Sequence, residues 1–157
     1  MVYKHQGFIF YVGIALAMRK PGVHVHAMDS NPRALQCTLH GAELNGLTVV
    51  NQPVKSDVQG DSVPDDEPSS LSIQLDATGH VSKPGSFDLV VANPPYYSNW
   101  AITAIFVEAA ARALKPGGRL FLVTKNANWY RNNLPFVLSD VEVHPLREYS
   151  IVTGRRS

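Results

Sequence analysis

A strand that ends abruptly in Asn93-Pro94-Pro95 constrains the fold of this chain more than any other stretch. Residues 89–92 form a continuous apolar run, which is typical of a strand covered on both faces. The two prolines cannot donate to a sheet ladder, and each keeps the residue before it out of the helical region. Asn93 and the following Tyr96 are therefore predicted at the carboxyl end of a buried strand, the edge at which open α/β sheets bind ligands.

The residue types at this corner favour one kind of chemistry. The side-chain oxygen of Asn93 and the carbonyl of Pro94 are two acceptors that can hold the hydrogens of a planar amino group. Tyr96 offers a ring face on which a base or an amide plane can stack. Holding an amino group with its lone pair towards an electrophile is catalysis by positioning. The structural alternative is a Pro-Pro loop that only ends a strand, with Asn93 capping a turn.

Asn93-Pro94-Pro95-Tyr96, preceded by Phe87-Asp88-Leu89-Val90-Val91, resembles motif IV of the class I S-adenosylmethionine-dependent methyltransferases that modify amino nitrogens. The resemblance extends from about Val12 to the C-terminus and is strongest to the small methyltransferase domain of the ribosomal RNA guanine-N2 methyltransferases. It implies S-adenosylmethionine as the cofactor and RNA as the substrate. It also implies that the motif's Asn, two Pro and Tyr hold and stack the acceptor. Motif IV alone does not show whether the methylated amine belongs to a nucleic-acid base or to the glutamine side chain that release-factor methyltransferases modify.

The order of elements before this motif predicts an α/β fold. A strand over residues 23–28 ends at Asp29, Ser30-Asn31-Pro32 has the capping side chain and proline of a helix start, and a second strand over 48–54 leads to Asp57. A helix over 12–20 precedes them. Parallel strands need helical crossovers, so this alternation predicts a doubly wound, mostly parallel sheet of the Rossmann-like class I methyltransferase type.

Two acidic residues follow these strands. A carboxylate after residues 23–28 is placed to accept from the ribose hydroxyls of a nucleoside. The resemblance assigns that role to Asp29, with Ser30 beside it in the cofactor site, and it assigns the adenine amino group to Asp57. The structural alternatives are an N-cap of the next helix for Asp29 and an ordinary turn carboxylate for Asp57.

The C-terminal part continues the pattern. The spacing predicts an amphipathic helix after Ser98-Asn99 that turns Ile102, Ile105, Phe106, Ala109, Ala110 and Ala113 to one face. Lys115-Pro116-Gly117-Gly118 should end it in a turn before a buried strand over 119–124. A helix over 128–138 and an antiparallel pair, 141–144 with 148–153, should close the sheet.

Residues 60–86 differ in kind from the rest of the chain. This stretch is acidic and polar, with no hydrophobic period, and it predicts a flexible surface insertion, with a short hairpin over 71–81 around Thr78-Gly79. Its negative charge would repel an RNA backbone.

The family that this chain resembles has a glycine-rich loop after its first strand, and the sequence does not show that loop at the corresponding place. Lys4-His5-Gln6-Gly7-Phe8-Ile9-Phe10 stands at that place, with one glycine and bulky side chains, whereas closing a backbone over the methionine part of the cofactor requires glycines. The family's first strand is also expected to be absent, so the fold is predicted to be N-terminally truncated. Residues 3–11 are then the only stretch that could pair between the strand before Asp29 and the strand before Asn93. We therefore predict that S-adenosylmethionine binding is weak or absent. A calorimetric titration giving micromolar affinity would contradict this.

Composition narrows the remaining possibilities. The 157 residues suit a single domain, and the formal net charge of +1 provides no global attraction for nucleic acid. A local patch that mixes cations with aromatics remains possible, and such a mixture suits single-stranded nucleic acid as well as ordinary packing. Its members are Lys125, Trp129, Tyr130, Arg131, Arg155 and Arg156.

Several features argue against other classes of protein. Cys37 is the only cysteine, which excludes an internal disulfide and fits a cytoplasmic location. The apolar stretch 8–18 is too short to cross a bilayer. His24 and His26 face one side of a strand without a third ligand nearby, so we predict surface histidines and no metal site.

Three functions therefore stand. The first is S-adenosylmethionine-dependent methylation of an exocyclic amine of an RNA base, with guanine N2 of ribosomal RNA favoured. The second keeps the chemistry and changes the acceptor to a protein glutamine. The third is a catalytically inactive, truncated methyltransferase-fold fragment.

Overall fold

The computed structural model describes residues 2–4, 10–50, 68–94 and 100–157. Four helices lie in these ranges: α1 (Phe10–Arg19), α2 (Pro32–Leu44), α3 (Trp100–Ala113) and α4 (Ala127–Asn133). The strands are β1 (Val2–Lys4), β2 (His24–Asp29), β3 (Thr48–Val49), β4 (Ser70–Leu75), β5 (Phe87–Asn93), β6 (Leu114–Thr124), β7 (Ser139–Leu146) and β8 (Tyr149–Arg155). Each of these helices is too short to cross a membrane.

The strands form one sheet in the order β3-β4-β2-β1-β5-β6-β8-β7. All pairs from β3 to β6 are parallel, and β8 runs antiparallel to both β6 and β7. This confirms the predicted α/β class with a mostly parallel sheet and a closing C-terminal hairpin. The hairpin turns at Arg147, whose φ is 52°, and Pro145 lies within β7, paired with Ser150.

Helices cover both faces of the sheet. Successive side chains of a strand point to opposite faces, so the buried ones are divided between two cores. On one face, Val25 and Ala27 of β2 pack with residues of α1 and α2 such as Ile14 and Leu35. On the other, Met28 of the same strand joins a cluster built on β5, β6, α3 and α4. The sheet is therefore doubly wound, as the element order predicts.

The central strand is β1, which pairs in parallel with β2 on one side and β5 on the other. The prediction that the first strand is absent was therefore wrong. The bridging segment is Val2–Lys4, at the start of the predicted 3–11 stretch, and Phe10 and Tyr11 already belong to α1. Three residues are too few to carry a hydrophobic period, so the sequence pattern did not show this strand.

The strand next to β2 is β4, which lies inside the stretch expected to be a flexible insertion. That prediction was wrong for Ser70–Leu75, which form a strand, and so was the hairpin over 71–81, because residues 76–81 form no second strand. Of the predicted strand 48–54, Thr48–Val49 form β3 at the sheet edge, and residues 51–67 lie outside the described residues. In β4, Leu71 is completely buried against α2, whereas Ser70, Ser72 and Gln74 face polar partners on β2.

Helix α3 forms as predicted, and the predicted buried face is confirmed for Ala109, Ala110 and Ala113 but not for the two isoleucines. Thr103, Val107 and Ala110 point inwards together with Ala109 and Ala113. Ile102 and Ile105, which the spacing placed on the buried face, are each 41% exposed.

Candidate active site

Asp29 and Asn93 lie at the same edge of the sheet. They are the last residues of β2 and β5, and Lys4 at the end of β1 pairs with both. Since neighbouring strands are about 4.8 Å apart, the two backbones are separated by about 10 Å. A small molecule that binds at this edge can therefore contact both residues.

Asp29 shapes the turn that leaves β2. Its side chain is 1% exposed, and Oδ1 accepts a hydrogen bond of 2.7 Å from the backbone N of Asn31. The N-cap of α2 is Asn31, whose own side chain accepts from the backbone N of Arg33, and Pro32 follows it. The N-cap role, which was the structural alternative for Asp29, is therefore taken by Asn31. Ser30, predicted beside the cofactor, is exposed at this edge.

The predicted motif is placed in part. Asn93 ends β5 and is half-buried, and Pro94 is fully buried immediately after it. Pro95 and Tyr96 lie outside the described residues, as does Asp57. The structure thus brings Asp29, Ser30, Asn93 and Pro94 to one edge.

Asp76 is an edge carboxylate that the sequence analysis did not select. It follows β4, and its backbone N donates to the carbonyl of Asp29 at 3.0 Å. Oδ1 accepts from the backbone N of Thr78, Gly79 and His80 at 2.8, 2.8 and 3.0 Å. Partial burial raises the pKa of Asp76, but the hydrogen bonds from these residues outweigh it and hold the pKa below its usual value. The sequence signal for Asp76 was its place directly after Leu75, at the end of a stretch of alternating polar and apolar residues.

A pair of stacked tryptophans stands at the same edge. Trp100 begins α3 and Trp129 lies in α4, and these helices follow β5 and β6. Their ring centroids are 5.6 Å apart and the ring planes differ by 3°. Tyr130 packs edge-on against Trp129 at 5.1 Å and is itself buried. Trp129 and Tyr130 belong to the patch predicted from the sequence, whereas Trp100 was not predicted.

The predicted set of cations is divided between the two edges of the sheet. Lys125 follows β6 at the edge of Asn93, with Nζ 4.8 Å from the Tyr149 ring centroid and 3.5 Å from Glu148 Oε2. Tyr149 and Glu148 raise its pKa, so it is charged at neutral pH. Because β8 is antiparallel to β6, Arg155 and Arg156 lie at the opposite edge. There Arg156 donates from its backbone to Gly118 and from its guanidinium to the carbonyl of Ala111.

His26 is not the surface histidine that the sequence predicted. It is 4% exposed, with Nδ1 2.9 Å from Ser72 Oγ and Nε2 3.1 Å from Gln74 Oε1. Its ring stacks on Phe87 with centroids 5.8 Å apart. His24 makes the equivalent contact to Ser70, at 2.7 Å, and is exposed. In the described part of the chain, no three metal-ligating side chains converge.

Acidification should destabilise the protein through His26. Burial lowers the pKa of His26 from 6.5, and the Gln74 hydrogen bond offsets this only in part. Below that pH the unfolded chain binds a proton that the folded chain does not, so the free energy of unfolding falls, by at most about 1.4 kcal/mol per pH unit for one proton. Denaturant titrations between pH 7.5 and 5.5 should show this loss and show it reduced in His26→Gln.

The exposed His40 on α2 provides the control, because His40→Gln should retain the wild-type pH dependence. Equal pH slopes for wild type and His26→Gln would show that the buried ring does not control stability in this range.

The sheet order is that of a Rossmann-like fold, which solved S-adenosylmethionine-dependent methyltransferases share. The family model of the methyltransferase small domain matches residues 71–152, more than half of the chain. The chain therefore belongs to this family. No curated protein matches the sequence.

Solved structures share the fold at low identity. The Thermus thermophilus 16S rRNA N2 G1207 methyltransferase RsmC, in complex with AdoMet and guanosine, superposes with a TM-score of 0.57 at 18% identity, over 93% of this chain and 39% of its own. An rRNA methylase from Streptococcus thermophilus gives 0.59 at 17%, over 99% and 86%. SMU.1697c, a putative methyltransferase from Streptococcus mutans in complex with SAH, gives 0.61 at 16%, over 99% and 87%.

Proposed function

We propose that this protein is an S-adenosylmethionine-dependent N-methyltransferase acting on an exocyclic amino group of an RNA base, with guanine N2 of ribosomal RNA as the favoured acceptor. One observation carries the proposal: Lys4 pairs with both Asp29 and Asn93, so a cofactor-type carboxylate and an amine-holding amide share one sheet edge. Two structural neighbours are rRNA methyltransferases, one of them bound to guanosine. A cytoplasmic location and a role in ribosomal RNA processing belong to the same proposal.

The residues at the edge fit the cofactor's nucleoside part. Asp29 supplies two carboxylate oxygens, the acceptors that a ribose diol requires, next to the corner at Asn93. S-adenosylmethionine, when bound, supplies an electrophilic methyl group. The 1% exposure of Asp29 means that a ribose must displace the groups covering this carboxylate. That displacement costs binding energy, which supports the prediction of weak cofactor affinity.

The acceptor is held by the corner that ends β5. The side-chain oxygen of Asn93 and the carbonyl of Pro94 each accept one hydrogen of the amino group, which leaves the nitrogen lone pair directed away from both. Tyr96 stacks on the base. The buried Pro94 keeps this corner rigid, so little motion is lost when the acceptor binds. A base must leave its helical stack before its amine can reach the corner.

Burial of Asp29 also favours one competing function, the catalytically inactive fragment. A chain that cannot open this carboxylate to a ribose keeps the fold without the reaction. The two alternatives predict opposite results in the same assay, because only the enzyme transfers label at high cofactor concentration.

The deciding experiment incubates the full chain with millimolar S-adenosylmethionine carrying a labelled methyl group. Ribosomal RNA and a release-factor protein pool are offered in separate reactions. We expect label in RNA, recovered as N2-methylguanosine after digestion to nucleosides, and far less label with the Asn93→Ala variant. Label on protein glutamine, or no label from folded protein, would overturn the proposal.

A further inference from the structure

We propose that the stacked tryptophan pair, Trp100 and Trp129, is a platform on which an unpaired RNA base stacks as the strand enters the active site. The inference rests on the proposed function and extends it, because it assigns capture of single-stranded RNA to residues outside the Asn93 corner. Three observations support it: the position of the pair, its rigidity and the charge around it.

The position follows from the topology. β5 and β6 are adjacent and parallel, so the helices that follow them, α3 and α4, both start at the edge where Asn93 lies. Trp100 is the first residue of α3, and Trp129 is in the first turn of α4. The stacked rings therefore lie at the same sheet edge as the corner proposed to hold the reacting amine.

The pair is open to a ligand and rigid. Trp100 is 48% exposed although Trp129 covers one of its ring faces. Trp129 is braced by the buried Tyr130, and its carbonyl accepts a hydrogen bond of 2.7 Å from Asn133 Nδ2. An exposed ring that is already oriented loses little conformational entropy when a base stacks on it.

Cations lie at the same sheet edge as the pair although the whole chain carries a formal net charge of only +1. Lys125 and Arg131 flank Trp129 in sequence, and both are exposed. Asn128 Oδ1 orients the Arg131 guanidinium by a hydrogen bond of 2.9 Å. Arg147 at the hairpin tip adds a third charge at this edge, and Glu148 offsets that of Lys125 in part. Aromatic faces with nearby cations suit single-stranded nucleic acid, which offers bases and phosphates together.

Intrinsic fluorescence tests the proposal directly, because these are the chain's two tryptophans. Without cofactor, the protein is titrated with an unpaired ten-nucleotide oligoribonucleotide, with a duplex of the same sequence, and with a glutamine-containing release-factor peptide. We expect the single strand to quench the emission and to protect it from acrylamide, and we expect tighter binding of the single strand than of the duplex or the peptide.

Variants distinguish stacking of a base on Trp100 from non-specific RNA binding. Trp100→Ala should weaken single-strand binding by about 5- to 150-fold, the equivalent of one base stack, and Trp100→Phe should restore most of the affinity. Phe136→Ala is the matched control, because Phe136 is an exposed aromatic at 85% outside this pair. Binding by these variants is measured by fluorescence anisotropy of a labelled oligonucleotide, since Trp100 itself is removed.

The outcomes distinguish this inference from the proposed function. Unchanged RNA affinity in Trp100→Ala, or tighter binding of the peptide than of RNA, overturns the platform even if RNA is methylated. Trp100-dependent RNA binding in a protein that transfers no methyl group supports the platform and removes the proposed enzyme activity.

Discussion

Replacing Asn93 with alanine is expected to lower kcat for methyl transfer by about 100-fold or more, with little change in the KM for S-adenosylmethionine. The variant removes one of the two acceptors proposed to hold the amino group, so the lone pair is no longer oriented. Losing a single preorganised polar contact of this kind costs about 100- to 1,000-fold in other enzymes. Initial rates with labelled cofactor and RNA measure the effect.

Asn126→Ala is the matched control for this variant. Asn126 is an exposed asparagine after the adjacent strand β6, and its side chain makes no cap hydrogen bond to α4. Its removal should leave kcat within about threefold of wild type, within the range of ordinary surface substitutions. An Asn93→Ala enzyme as fast as this control would remove Asn93 from the reaction.

Replacing Asp29 with asparagine is expected to weaken S-adenosylmethionine binding by about 10- to 100-fold. The change removes the charge from the hydrogen bonds to the ribose diol, and bonds to a charged group are worth about 1.5–3 kcal/mol. The amide oxygen still accepts from the backbone N of Asn31, so the turn into α2 survives. Calorimetric titration at millimolar cofactor measures the affinity.

Asp29→Ala separates the structural role of this residue from its binding role. Without a side-chain acceptor, the backbone N–H of Asn31 loses its partner, and the free energy of unfolding should fall by about 1–3 kcal/mol. Asp88→Asn is the control, because Asp88 is a 77% exposed carboxylate at the amino end of β5, paired with Lys115. Equal cofactor affinity in Asp29→Asn and Asp88→Asn would exclude Asp29 from the cofactor site.

The candidate site was predicted from sequence where single residues dictate local structure. Asn93-Pro94 ends β5 because proline cannot continue the ladder, and Asn31-Pro32 starts α2 because an asparagine caps it and a proline suits its first turn. Asp29 at the end of β2 followed from the alternating run before it. These features depend on neighbours in the chain, so no long-range contact is needed to infer them.

The misplaced elements depend on partners that are distant in the chain. β4 has an alternating polar face that looks like a surface loop until His24 and His26 of β2 pair with its serines. His26 itself is buried where β4 pairs beside it and Phe87 stacks on its ring. β1 has three residues and takes its identity from pairing on both sides.

By itself, the sequence determined the α/β class, the strand that ends at Asn93-Pro94, and the acidic end of β2, because turns, caps and hydrophobic periods act over a few residues. Tertiary structure alone decided that β1 brings Asp29 and Asn93 to one edge, that β4 is an inner strand, and that Trp100 stacks on Trp129. The physical reason is that strand pairing and side-chain stacking join residues far apart in the chain. Their partners are chosen by the packing of the whole sheet.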